Sequence, residues 1–117
     1  MSKLKAEVIK YSKKLNITNL SALRSGNISV RVNEKGLDGF YITPSGREYG
    51  SLRPVDIVFV SLEGDYDKKK AKPSSEWRFH QDIYVNKKEA KAIVHAHSTC
   101  ATAVSTHQKS IPAFHYM

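Results

Sequence analysis

Apolar side chains recur along this chain with two different periods, and each period predicts a different element. Leu4, Val8, Tyr11 and Leu15 stand at helical spacing with lysines on the other faces. Residues 2–15 are therefore expected to form an amphipathic helix that Ser2 can cap. Residues 16–26 are polar and small, with Leu20 and Leu23 as the expected anchors. Ile28, Val30 and Val32 then alternate with Ser29 and Arg31, the pattern of a half-buried strand. After a turn at residues 33–36, Phe40, Tyr41 and Ile42 predict a second strand running into Thr43, Pro44, Ser45 and Gly46. Ile57 to Val60 predicts a third strand, followed by a turn at Glu63, Gly64 and Asp65.

The second half of the chain continues the alternation. Residues 67–73 are lysine-rich, lack periodicity and read as a linker. Ser74, Ser75 and Glu76 open a helix through about Val85, since serine hydroxyls cap orphan amides and glutamate suits a first turn. Ala92 to His97 is β-like. Ser98 is expected to cap a helix over residues 99–106, which Ile111 and Pro112 end. Alternating helices and strands point to an α/β or α+β sandwich.

Length and composition narrow the class without naming it. The 117 residues, 40% hydrophobic and 26% charged, suit one soluble globular domain. No stretch approaches the roughly 18 apolar residues of a membrane helix, and the charged N-terminus is unlike a secretory signal. Cys100 is the only cysteine, so no internal disulfide is expected and a cytoplasmic location is the simple reading. The net charge of +8 attracts anions in general, nucleic acid and phosphorylated metabolites alike. Lys68, Lys69, Lys70 and Lys72 lack interleaved aromatics that could stack on bases, so this run reads as a solvated loop and no nucleic-acid partner is expected.

Chemistry concentrates in a few places. His95 and His97 lie two apart on a predicted strand, so both rings project to one face and can converge on one ion. Two unrelated histidines near a strand end remain the alternative. Glu76 reads by itself first as a capping-box glutamate and second as a metal ligand or base. His80, one turn later, reads as a packing or hydrogen-bonding residue. Ser25, Gly26 and Asn27 before a strand, Thr43 to Gly46 after one, and Ser74 with Ser75 at a helix start each offer groups suited to a phosphate. Singly, each is also an ordinary turn or cap.

Taken in order, five segments resemble the class II aldolase family (aldolase and adducin head). They are residues 25–31, 42–46, 73–80, 94–97 and 110–117, and the third and last are most similar to L-fuculose-1-phosphate aldolases. The resemblance implies a three-layer α/β/α sandwich with a mixed, mostly antiparallel sheet. Residues 1–117 would be the N-terminal portion of one such domain, its C-terminal part absent. It further implies Asn27, Ser45, Gly46, Ser74 and Ser75 at a substrate phosphate, and His95, His97 and Glu76 on Zn2+, with Mn2+ or Co2+ as alternatives. Glu76 would also shuttle the substrate proton. Tyr116 would act on the aldehyde oxygen across a subunit boundary of a homotetramer. The implied reaction is cleavage of a ketose 1-phosphate into dihydroxyacetone phosphate and an aldehyde. In the family a third histidine ligand follows the segment matched here, so these residues alone are expected to be weakly active or inactive. Ala22, Leu23 and Arg24 depart from the small-residue loop of relatives; Arg24 is expected to cover surface, with a phosphate contact as the alternative. A catalytically dead, adducin-head-like interaction module and a related sugar-phosphate epimerase or dehydratase are the competing readings.

Overall fold

Residues 2–113 are described by the computed structural model. Helix α1 (Ser2–Ile17) is followed by strands β1 (Asn27–Glu34) and β2 (Leu37–Ile42). Two 3-10 turns, Tyr49–Ser51 and Pro54–Asp56, lead into β3 (Val58–Ser61). Helix α2 (Trp77–Asn86), β4 (Ala92–His95) and helix α3 (Thr99–Ser105) complete the order. Among the described residues the strands form one sheet in the order β3-β2-β1-β4, and every pairing is antiparallel. The expected parallel component of a mixed sheet is thus not seen among these residues.

Alternation along β1 and β2 separates two apolar faces. Ile28 and Val32 of β1 and Tyr41 of β2 pack with Val8, Ile9 and Leu15 of α1 and with Tyr49, Leu52 and Ile57. Phe40, Ile42, Val58 and Val60 pack with Tyr84 of α2, joined at the margin by Trp77 and Ile93. A helix on each side of the sheet gives the three layers expected.

Details of the first core differ from the periodicity. Tyr11 is exposed rather than inward, with the Lys10 and Lys14 ammonium groups over its ring. Ser12 takes the inward place, fully buried, its hydroxyl donating to the Val8 carbonyl at 2.6 Å. A small side chain there lets the helix approach the sheet, and the hydroxyl is satisfied one turn back. Leu20 and Leu23 are not anchors either; both are exposed, and Leu23 has a positive φ of 52°. Ser21 is buried in that loop instead, together with Gly26. The lysines of the linker are exposed, as expected, but Pro73 at its end is buried and bridges to Pro44.

Arg31 holds the second layer in place. Its Nε donates to the Ala90 carbonyl at 2.8 Å, and Nη2 donates to Tyr84 and Lys87 carbonyls at 2.7 and 3.1 Å. The guanidinium also lies over the Tyr84 ring. A cation on carbonyls at the end of α2 satisfies orphan acceptors and opposes the negative end of the helix dipole. Replacing Arg31 with Met keeps the apolar stem and removes every donor. The expected loss is about 1.5–3 kcal/mol of unfolding free energy, the range for charged hydrogen bonds. A urea midpoint unchanged from wild type would show that Arg31 only covers surface.

Candidate functional site

The site gathers where β1, β4 and the start of α2 meet. Asn27 pairs with His95 across the β1–β4 ladder, so their side chains leave the sheet on the same face. The strand ends at His95, and His97 lies just beyond it. Its backbone N–H donates to Ser21 Oγ at 2.7 Å, which ties the second histidine to the loop after α1. The two imidazoles stack, with centroids 4.7 Å apart and planes 9° apart.

Glu76 reaches the same place from the opposite direction. It occupies the N-cap position of α2 yet makes no side-chain capping bond, so the capping-box reading does not hold here. Its Oε2 lies 3.6 Å from His95 Nδ1 and 4.0 Å from His97 Nε2. One donor atom from each of the three residues lies within 4.8 Å of the others. Tetrahedral zinc with ligands at about 2.0–2.1 Å separates its donors by about 3.3 Å, so small side-chain adjustments would bring these atoms onto one ion. The donor chemistry fits a divalent metal: two imidazoles, a carboxylate, and an exposed side left for water or substrate.

Asn27 joins this cluster to the hydroxyl-bearing segments. Its Nδ2 donates to Glu76 Oε2 at 2.6 Å and to Ser74 Oγ at 3.2 Å. Ser74 Oγ also accepts the Glu76 N–H at 3.4 Å. Segments 43–46 and 72–75 run side by side: Ser45 N–H donates to the Lys72 carbonyl, Ser74 N–H to that of Thr43, and Pro44 bridges to Pro73. Ser45, Gly46 and Ser75 are exposed on this strip, whereas Asn27 is buried with its amide turned inward. Arg24 Nη1 donates to the Gly46 carbonyl at 3.0 Å. It therefore clamps one loop to another rather than simply covering surface. Tyr116 lies outside the described residues.

Behind Asn27 runs a buried polar chain that the sequence did not announce. His80 Nε2 bonds Asn27 Oδ1, His80 Nδ1 meets Ser29 Oγ at 2.6 Å, and Ser29 Oγ meets the Tyr84 hydroxyl at 2.8 Å. The reading of His80 as a hydrogen-bonding residue holds. Ser29 and Tyr84 were legible only as a strand position and a helix position; their meeting depends on α2 crossing the sheet. Burial pushes the Tyr84 hydroxyl up to about 12, so it stays a neutral donor.

Burial likewise pulls His80 down to about 4, reinforced by the nearby His95 and opposed by Glu76. A histidine whose folded value lies below its unfolded value favours folding while neutral. Its contribution is complete above about pH 6.5 and is lost as pH falls towards 4, by at most roughly 3 kcal/mol. Urea unfolding at pH 7 and pH 4.5 should show this loss in wild type, and a smaller one in His80→Gln. Equal losses in the two proteins would remove His80 as the cause.

Fold and donor set together define an α/β/α protein with a candidate divalent-cation site beside hydroxyl-bearing turns. The chain belongs to the class II aldolase and adducin N-terminal domain family, whose model matches residues 6–117. It is 41% identical over 114 residues to the 5-methylthioribulose-1-phosphate/5-deoxyribulose-1-phosphate aldolase of Rhodospirillum rubrum, covering 97% of this chain and 49% of that protein. It is 40% identical over 116 residues to the L-fuculose phosphate aldolase of Escherichia coli (strain K12), covering 99% and 52%. A solved L-fuculose 1-phosphate aldolase superposes with a TM-score of 0.86 at 39% identity, covering 97% of this chain and 52% of the other. The chain spans about half the length of these relatives. No helix among the described residues is long and apolar enough to cross a membrane.

Proposed function

We propose that this chain carries the metal-facing and phosphate-facing part of a class II aldolase that cleaves a ketose 1-phosphate of the L-fuculose 1-phosphate type. The supporting observation is the convergence of Glu76, His95 and His97 on donor atoms within 4.8 Å of one another, linked through Asn27 to Ser74. Glu76, His95 and His97 would hold the ion, with zinc preferred and manganese or cobalt acceptable to the same donors. When bound, such an ion supplies Lewis-acid polarisation of substrate oxygens.

The chain's own residues supply the remainder. The exposed hydroxyls and amides of Ser45, Gly46 and Ser75, with Ser74 beside them, suit the phosphate of the substrate. Asn27 holds Ser74 and Glu76 in a fixed relation, which sets the distance from phosphate to reacting carbons. Glu76, a partly exposed carboxylate, would take the proton between carbon and oxygen. Tyr116 is proposed as the acid at the aldehyde oxygen, acting on a neighbouring subunit of a tetramer. Products would be dihydroxyacetone phosphate and an aldehyde, in the cytoplasm. These 117 residues on their own are expected to turn over weakly or not at all, as they span about half the length of the aldolases they match.

Metal titration of the purified chain tests the site, with Zn2+, Mn2+ and Co2+ compared. Stoichiometric uptake is expected; absence of uptake by all three ions would end the proposal. A coupled assay for dihydroxyacetone phosphate, offered L-fuculose 1-phosphate and 5-deoxyribulose 1-phosphate separately, then reads the substrate. Robust turnover by these residues alone would overturn the expectation of weak activity.

A further inference from the structure

We propose that His80 is a positioning residue for the candidate metal centre: it fixes which way the Asn27 amide faces and thereby holds the Glu76 carboxylate in place. The proposal rests on the metal reading of Glu76, His95 and His97. It concerns residues that bear on the ion only through others. His80 sits behind Asn27 and hydrogen-bonds none of the three donor side chains directly, its ring nitrogens being taken by Asn27 and Ser29.

Hydrogen-bond bookkeeping along the chain leads to a single direction. A metal-ligating carboxylate is deprotonated and can only accept. Asn27 must therefore turn its NH2 towards Glu76 Oε2, where the distance is 2.6 Å, and its second N–H serves Ser74 Oγ. Its Oδ1 then faces His80 Nε2 and needs a donor there. A neutral imidazole has one N–H, so His80 carries it on Nε2 and accepts on Nδ1. Ser29 supplies that hydrogen at 2.6 Å and itself accepts from the Tyr84 hydroxyl at 2.8 Å. Each group has one role, and the donor sequence is Tyr84, Ser29, His80, Asn27, Glu76.

An amide is nearly symmetric in shape, so packing alone holds its two orientations at similar energies. Flipped, Asn27 would aim an oxygen at the carboxylate oxygen of Glu76 and two hydrogens at His80. Only the N–H of His80 makes that flip unfavourable from behind. All four supporting side chains are buried: Asn27 is 2% exposed, Ser29 0%, His80 1% and Tyr84 0%. The bonds among these four are buried, and an unmet partner there is costly.

The test is zinc affinity of the 117-residue chain, read by competition with a chromophoric chelator, together with the 15N signals of the His80 ring in the metal-free chain. The wild-type ring is expected as the Nε2–H tautomer, with Nδ1 unprotonated. His80→Phe keeps ring volume but removes the donor, and is expected to weaken zinc by about 10-fold, the low end of the effect of losing a group bonded to a ligand, because His80 acts one residue further back. His80→Gln can still present an N–H to Asn27 and should stay within about 3-fold of wild type on the same scale. In an Asn27→Ala background, His80→Phe should cause no further loss, because the route to Glu76 is already cut. Three results would overturn the proposal: an Nδ1–H tautomer, unchanged affinity in His80→Phe, or equal losses in His80→Phe and His80→Gln. If circular dichroism shows that His80→Phe does not fold, the tautomer and His80→Gln decide. Wild-type chain that takes up no zinc would instead remove the metal reading itself, and this proposal with it.

Discussion

Zinc affinity is expected to fall by more than about 100-fold when either His95 or His97 is changed to alanine. Losing a group behind a ligand already weakens metal sites by about 10–100-fold, and loss of a ligand should exceed that. Each histidine supplies one of three donors, so what remains is a pair that includes the Glu76 carboxylate. Neither ring is buried; the side chains are 31% and 40% exposed, so the variants should fold normally. The competing explanation, two unrelated surface histidines that happen to stack, predicts no change. His107→Ala is the control, since His107 is exposed on the segment after α3, outside the donor cluster. With Co2+ in place of Zn2+, the visible absorption of the bound ion should weaken in step. Alanine variants that bind like wild type would remove both histidines from the site.

Gly26→Ala is the second large effect, expected to remove about 3 kcal/mol of stability and to weaken metal binding at the same time. Gly26 has a φ of +82°, a region that costs an L-residue about 1–2 kcal/mol. A Cβ there would also stand 2.6 Å from the His95 carbonyl oxygen and 2.8 Å from Ser21 Oγ. The first neighbour is backbone and cannot swing aside, and such overpacking adds about 1–3 kcal/mol. The displaced atoms are the ones that hold the imidazoles: the His95 main chain, and the serine that receives the His97 N–H. Tyr49, whose hydroxyl donates to the Gly26 carbonyl, ties the same turn to the first core. Gly46→Ala separates the two terms, because Gly46 has a φ of +70° but nothing within 4 Å of its missing Cβ. That variant should lose only the conformational part, about 1–2 kcal/mol, and bind zinc nearly as before. Equal urea midpoints for the two variants would show that the close approach at residue 26 is tolerated.

The local order of elements was legible because each depends on neighbours in sequence. Alternation at Ile28, Val30 and Val32 reports a strand wherever the chain goes, and Ser98 marks the start of α3 although its hydroxyl makes no capping bond. Exchanges at the edges of these patterns were not legible. Tyr11 and Ser12 are adjacent on α1, and only the distance between helix and sheet decides that the small polar residue goes inward. Leu20 and Leu23 looked like anchors because leucine usually is one. Ser21 is buried instead, since the loop must satisfy the N–H of His97 more than it must hide a leucine.

By itself the sequence determined the helix and strand order, the pairing of His95 with His97, and the presence of glutamate, serines and asparagine suited to a metal and a phosphate. Those properties follow from residue type and short spacing, which tertiary packing does not alter. Only the tertiary structure decided that Glu76 leaves its helix uncapped to face two histidines 19 and 21 positions later. It also decided that Asn27 stands between Glu76 and a buried His80. The physical reason is that hydrogen bonds and metal donors act over about 2–4 Å, whereas these residues are brought that close only by β4 pairing with β1 and α2 crossing the same face of the sheet.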